Sequence, residues 1–147
     1  MFDDREALVL SIKNAENLHG HLGPFLVIGV KMAKLAMKEL NASENKVLNM
    51  QIFAKLPLIT PFSCVLDGIQ ATTHCTVGNR KLRVKSSDND ITVTFKLKSQ
   101  DKTVKIRVKP QLVEELMSQL SKGIPNEKLA WMIAAKPEGE LFEFQKR

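Results

Sequence analysis

Tyrosine is absent from this 147-residue chain, tryptophan occurs once, at position 131, and cysteine twice, as Cys64 and Cys75. Two cysteines cannot build a disulfide framework, which leaves reactive or metal-binding thiols as the open readings. The scarcity of aromatics disfavours a single-stranded nucleic-acid platform, which relies on stacked rings, and Phe95 alternates to the inward side of its expected strand. No helix-turn-helix, zinc-finger or RNA-binding signature occurs either, so nucleic acid is not an expected partner. Long apolar runs are also missing. The stretch Phe25 to Val30 falls far short of the ~18 residues of a membrane span, and the acidic opening Met1-Phe2-Asp3-Asp4 lacks the basic start of a secretory signal. A cytoplasmic protein is the expectation.

What is present is globular: 44% hydrophobic and 26% charged residues, with no repeat or composition break, so residues 1–147 read as a single domain. The formal charge of +6 is concentrated. Between Arg80 and Lys109 stand ten basic residues against Asp88, Asp90 and Asp101, so the remainder of the chain sums to −1. Such a segment attracts an acidic partner or another anionic surface.

Apolar spacing at Leu8, Ile12, Ala15 and Leu18 predicts a helix from about Asp4 to Leu18. A second helix is expected to start at Pro24, with Lys31, Lys34 and Lys38 on one wet edge. Alternation at Leu48, Met50, Ile52 and Ala54 predicts a strand over 47–56. A third helix is expected from about Pro61 to Thr73, capped by Thr60. Three half-buried strands follow, around Leu82–Val84, Ile91–Leu97 and Val104–Val108, most simply an antiparallel meander with a basic outer face. Helices over Pro110–Leu120 and Asn126–Ala134 and a short terminal strand over Leu141–Phe144 complete the reading. The fold class is α+β: N-terminal helices packed on a mostly antiparallel sheet, then C-terminal helices.

Chemistry concentrates at helix ends. In His19-Gly20-His21-Leu22-Gly23-Pro24 two imidazoles flank a glycine, and an extended backbone would point both to one side, able to converge on one ion. The bland alternative is a polar connection whose histidines bond to backbone. Cys64 falls in the first turn of the third helix, where the dipole and free N–H groups favour thiolate, the nucleophilic and metal-ligating form; a small buried hydrophobe is its alternative. Asp67, three residues on, could ligate, orient a histidine, act as a base or simply favour the helix start. Cys75 lies eleven residues beyond Cys64, about 16 Å farther along a continuous helix, and could join the site only if the helix stops at Thr72-Thr73 and the chain folds back. His74 would return with it. A metal-free alternative pairs Cys64 as nucleophile with His21 as base.

Taken together, His19-Gly20-His21-Leu22-Gly23-Pro24, Cys64-Val65-Leu66-Asp67-Gly68-Ile69-Gln70 and Cys75-Thr76-Val77-Gly78-Asn79 resemble the motifs of the formylmethanofuran dehydrogenase E-subunit family. The resemblance implies an α+β domain, homodimers, and a site where histidines and cysteines gather around a transition metal, with His19, His21, Cys64 and Cys75 as ligands and Cys64 and Asp67 as the residues of any chemistry. Nitrogen and sulfur donors suit zinc first, with iron or nickel as alternatives. Gly23 departs from the family pattern, which has a cysteine before the proline. No cysteine follows Cys75, so the C-terminal zinc finger of longer relatives is not matched. Two functions follow: a metal site acting on or sensing a small molecule, or an accessory protein that docks on a larger redox complex through its basic sheet face.

Overall fold

A computed structural model describes residues 3–42 and 49–147. In chain order the elements are α1 (Asp4–His19), α2 (Pro24–Glu39), β1 (Met50–Leu56), α3 (Cys64–Thr73), β2 (Leu82–Ser86), β3 (Thr92–Leu97), β4 (Lys102–Val108), α4 (Pro110–Ser121), α5 (Asn126–Ala135), α6 (Glu138–Leu141) and β5 (Phe142–Lys146). The α+β class holds. Asp3 caps α1 by accepting from Glu6 N–H at 2.8 Å, and Pro24 and Pro110 open their helices where proline's missing N–H costs nothing. Position 48, read as the first inward residue of a strand, lies outside the described residues.

The sheet is mixed, in the order β2-β1-β3-β4-β5. β3, β4 and β5 run antiparallel to their neighbours, but β2 pairs with β1 in parallel, Ile52 opposite Leu82 and Leu56 opposite Ser86. The expected meander is therefore corrected at its first strand: β1 stands between β2 and β3. The cause is α3, which carries the chain from the end of β1 back to its start, so the next strand must run the same way. Residues 87–91 then cross the end of β1, and Ser87 N–H closes onto the Leu56 carbonyl at 3.1 Å.

Inward residues of the strands, among them Met50, Ile52, Val93, Phe95, Val104 and Ile106, join the helices in one buried cluster. Outward neighbours such as Phe53, Lys55, Arg83, Lys85 and Lys105 are exposed. α2 is buried along most of its length, and its lysine edge is not uniformly wet. Lys31 is only 8% exposed, because its ammonium donates to the carbonyls of Ile133 (3.2 Å), Ala134 (3.0 Å) and Lys136 where α5 ends. These carbonyls lie at the C-terminal end of α5, where the helix dipole is negative; that of Ile133 also accepts from the Lys136 N–H at 3.1 Å. Burial lowers the Lys31 pKa, partly opposed by Glu138.

α2 and α3 cross through two glycines. A Cβ on Gly29 would sit 2.2 Å from the Val65 carbonyl oxygen, and one on Gly68 would sit 2.3 Å from that of Leu26. Backbone meets backbone there, a separation only a hydrogen side chain permits.

Two outcomes follow. Gly29→Ala and Gly68→Ala should each cost about 1–3 kcal/mol through forced helix displacement, lowering Tm by on the order of 5 °C in thermal melts. Gly139→Ala, with nothing within 4 Å of its Cβ, should melt like the wild type. Lys31→Met keeps the stem but takes the ammonium donor from the carbonyls of Ala134 and Lys136, so denaturant titration should show a loss of about 1–3 kcal/mol at pH 7. Because the folded protein holds the Lys31 proton less tightly than the unfolded chain, this residue's contribution grows as pH rises from its lowered folded value towards 10.5, and the variant should lack that increment.

Candidate metal centre

The His-Gly-His segment is a helix end rather than an extended strand. His19 closes α1, and Gly20, at φ +98°, turns the chain while its N–H bonds the Glu16 carbonyl at 2.7 Å. That left-handed cap is the form a glycine accepts without strain. The turn swings His21 beside His19, ring centroids 4.4 Å apart and planes 57° to each other. From the other side, α3 begins at Cys64 rather than at Pro61. Residues 60–63 form a turn after a cis Thr60-Pro61 bond, and Ser63, not Thr60, precedes the helix without a side-chain cap. Phe62 in that turn packs edge-on against Phe25 of α2, centroids 5.5 Å apart.

These elements bring three potential ligand atoms, from His19, His21 and Cys64, within 4.8 Å of one another. Tetrahedral zinc, bonded at about 2.0–2.3 Å, sets its ligands about 3.3–3.8 Å apart, so small side-chain rotations suffice. His21 is exposed, which gives the cluster one open side, whereas Cys64 is 7% exposed.

A hydrogen-bonded chain orients His19. The Val77 N–H donates to Gln70 Oε1 (3.1 Å), Gln70 Nε2 donates to Asp67 Oδ1 (3.0 Å), and His19 Nδ1 lies 2.6 Å from Asp67 Oδ2. Asp67 can only accept in its ionised form, so the His19 proton sits on Nδ1 and Nε2 presents its lone pair. That Nε2 is buried and, among the described residues, has no hydrogen-bond partner. A buried acceptor left unpaired is costly, and a carboxylate holding the remote nitrogen of a histidine is how ligating imidazoles are oriented. The donor set and the orphaned nitrogen fit a transition metal.

Two expectations are corrected here. The Cys64 thiol is pushed above its ordinary pKa by burial and then by the Asp67 charge, which together outweigh the lowering by the backbone N–H at the helix start. Without a bound cation the resting form is thiol, and among the described residues no hydrogen bond joins Cys64 to His21, the contact that a metal-free nucleophile would use. Cys75 stays apart from the cluster. The helix does stop at Thr73, but His74 takes a left-handed φ of 61° and directs the chain onward, leaving the buried Cys75 Sγ against the Met50 carbonyl at 3.8 Å. The group of converging ligand atoms is His19, His21 and Cys64, without His74 or Cys75. At Gly23, a Cβ would lie 3.2 Å from Asn126 Oδ1, so that side chain crowds the position where the family pattern has a cysteine. Asn126 belongs to no motif, and no sequence signal marks it; the part played by Gln70 is foreshadowed by its spacing of three from Asp67.

A "probable S-adenosyl-L-methionine-binding protein" of Archaeoglobus fulgidus is 35% identical over 68 residues, covering 46% of this chain. The chain spans only 18% of that relative's length. The family described as "FmdE, Molybdenum formylmethanofuran dehydrogenase operon" matches residues 18–143, a range that contains both imidazoles, Cys64, Asp67 and the whole sheet except the end of β5. The chain belongs to the FmdE family.

Proposed function

We propose that this domain holds one transition metal, zinc first among the candidates, through His19 Nε2, His21 and the Cys64 thiolate, and acts on or senses a small molecule there. The observation carrying the reading is the buried, partnerless His19 Nε2, oriented by Asp67 into a group with an imidazole and a thiol. When bound, a metal with three protein ligands supplies a Lewis acid with an open position. The chain's own residues do the rest. Asp67 holds the His19 proton on Nδ1 and spends its second oxygen on Gln70, which makes it an orienting residue rather than a free base. Cys64 releases its proton on ligation. His21, at the surface, would supply the third ligand. Within this reading the chain works in the cytoplasm, as a homodimer of the kind the resemblance implies.

Elemental analysis of untagged protein tests it. The wild type should carry close to one metal per chain; His21→Ala and Cys64→Ser should lose at least nine-tenths of it, and Cys75→Ser should not. Asp67→Asn should weaken metal affinity by about 10–100-fold in a chelator competition. Sub-stoichiometric metal that is the same in all variants would remove the reading.

A second reading, an accessory role docking on an acidic partner protein, is favoured by the sheet register. Lys55 stands directly opposite Lys85, an unfavourable like-charge pair that an anionic counterpart would relieve. Beside them Phe53 is 44% exposed with the Arg83 guanidinium 6.0 Å from its ring centre, an apolar anchor within a basic face. Native co-purification should then yield an acidic partner that Lys55→Glu/Lys85→Glu loses while metal content is unchanged. A partner retained by that variant would rule the sheet face out.

A further inference from the structure

A large cleft lies away from the candidate metal centre. It is an open cleft of about 1200 Å³ between the start of α1, the lysine edge of α2, the end of α3 and the α5–α6 junction, and it shares no lining residue with the His19/His21/Cys64 group. Cys64 and Thr73 mark opposite ends of α3, about 14 Å apart along its axis. The cleft is therefore a second site. At this volume it stands at or above the upper end of small-molecule pockets, roughly 300–1000 Å³.

Its charge is strongly one-sided. Lys31, Lys34 and Lys38 of α2 face it, as do Lys81 and Lys136, against the carboxylates of Asp4 and Glu138; His74 also borders it. Several of these cations are engaged: Lys31 by the α5 carbonyls, Lys38 by Glu138 at 2.9 Å, and Lys81 by contacts of its own. Lys34 and Lys136 differ. Among the described residues neither ammonium has a hydrogen bond or salt bridge, yet both side chains are half-buried. Burial lowers the Lys34 pKa, and the Asp4 charge only partly offsets it. At Lys34 a partly desolvated ammonium has the Asp4 charge nearby but no direct ion pair among the described residues, and an anion entering the cleft would offset the remaining cost. Leu8 and Met37 supply an apolar wall beside these charges.

We infer that this cleft binds an anionic organic molecule of cofactor size, its phosphate or carboxylate oxygens against Lys34 and Lys136 and its apolar body against Leu8 and Met37. The inference goes beyond the metal centre and does not depend on it. The probe is 8-anilinonaphthalene-1-sulfonate, an aromatic body with one anionic group, titrated by fluorescence at low ionic strength into the untagged full chain and then displaced by pyrophosphate or by citrate. One saturable site is expected, at least tenfold weaker in Lys34→Met/Lys136→Met and in Lys136→Glu alone, and within twofold of wild type in His21→Ala and in the sheet-face control Lys105→Met. Pyrophosphate outcompeting citrate identifies a phosphorylated ligand, and the reverse a carboxylate; either supports the site. Lys34→Met keeps the stem and removes a partly desolvated charge, so its far-UV spectrum should match the wild type and its Tm should be no lower, and Lys136→Glu provides an independent variant. Lack of saturable binding, affinity unchanged in both variants, equal loss in Lys105→Met, or a sedimenting dimer that binds no probe until Lys34→Glu dissociates it would overturn the inference.

Discussion

The backbone contact between α2 and α3 is the constraint from which the rest of the arrangement follows. With Gly29 and Gly68 facing each other, the two helices approach until each glycine sits against the other helix's carbonyls, closer than any side chain would allow. α3 is thereby held against the most buried helix of the molecule. Its first residue, Cys64, is brought to the level of the α1–α2 turn, and Asp67, one turn on, meets His19. A shift of α3 by one ångström away from His19 along the line of this 2.6 Å bond would stretch it to about 3.6 Å, beyond hydrogen-bond range. Helix packing and site assembly are here the same event.

Much of this is legible in the sequence because it depends on local rules. Pro24, Pro110 and Asn126 begin their helices as expected, β3 and β4 obey strict alternation, and His19, His21 and Cys64 stand out on residue type and motif. What escapes is decided by non-local packing. The partner of β2 depends on where α3 returns the chain, which no alternation pattern encodes. Lys31 reads as surface until α5, a hundred residues later, places its carbonyls over it. The Cys64 thiol follows burial and a neighbouring carboxylate more than the helix start that sequence can see. Cys75 shares a motif with the site but not its space: its buried thiol lies against the Met50 carbonyl, a contact between distant segments that no motif encodes.

The outer sheet face shows how a composition argument can miss a single residue. The scarcity of rings disfavours a nucleic-acid platform when Phe95 is the ring considered, and Phe95 is indeed fully buried. Phe53, on the opposite parity of β1, stands out on the basic face beside Arg83. Alternation assigns both correctly, so the signal is present in the sequence; what distinguishes them is that Met50, Ile52 and Ala54 take the inner side of β1.

α3 also shows how the proposed metal site and the proposed anion cleft could be kept apart, at opposite ends of one helix. Ten residues separate the thiol at one end from the His74 cap at the other, and the intervening faces are committed to α1 and α2. At the Cys64 end the charged neighbour is a carboxylate, which favours a cation; at the His74 end the neighbours are lysines of α2, which favour an anion. Placed on one rigid helix with its middle locked by Gly68, the two ends cannot move independently. Occupation of one site would therefore reach the other only as rigid displacement of α3 against α2, and the glycine crossing resists that motion, which argues that the two sites work side by side rather than as a coupled pair.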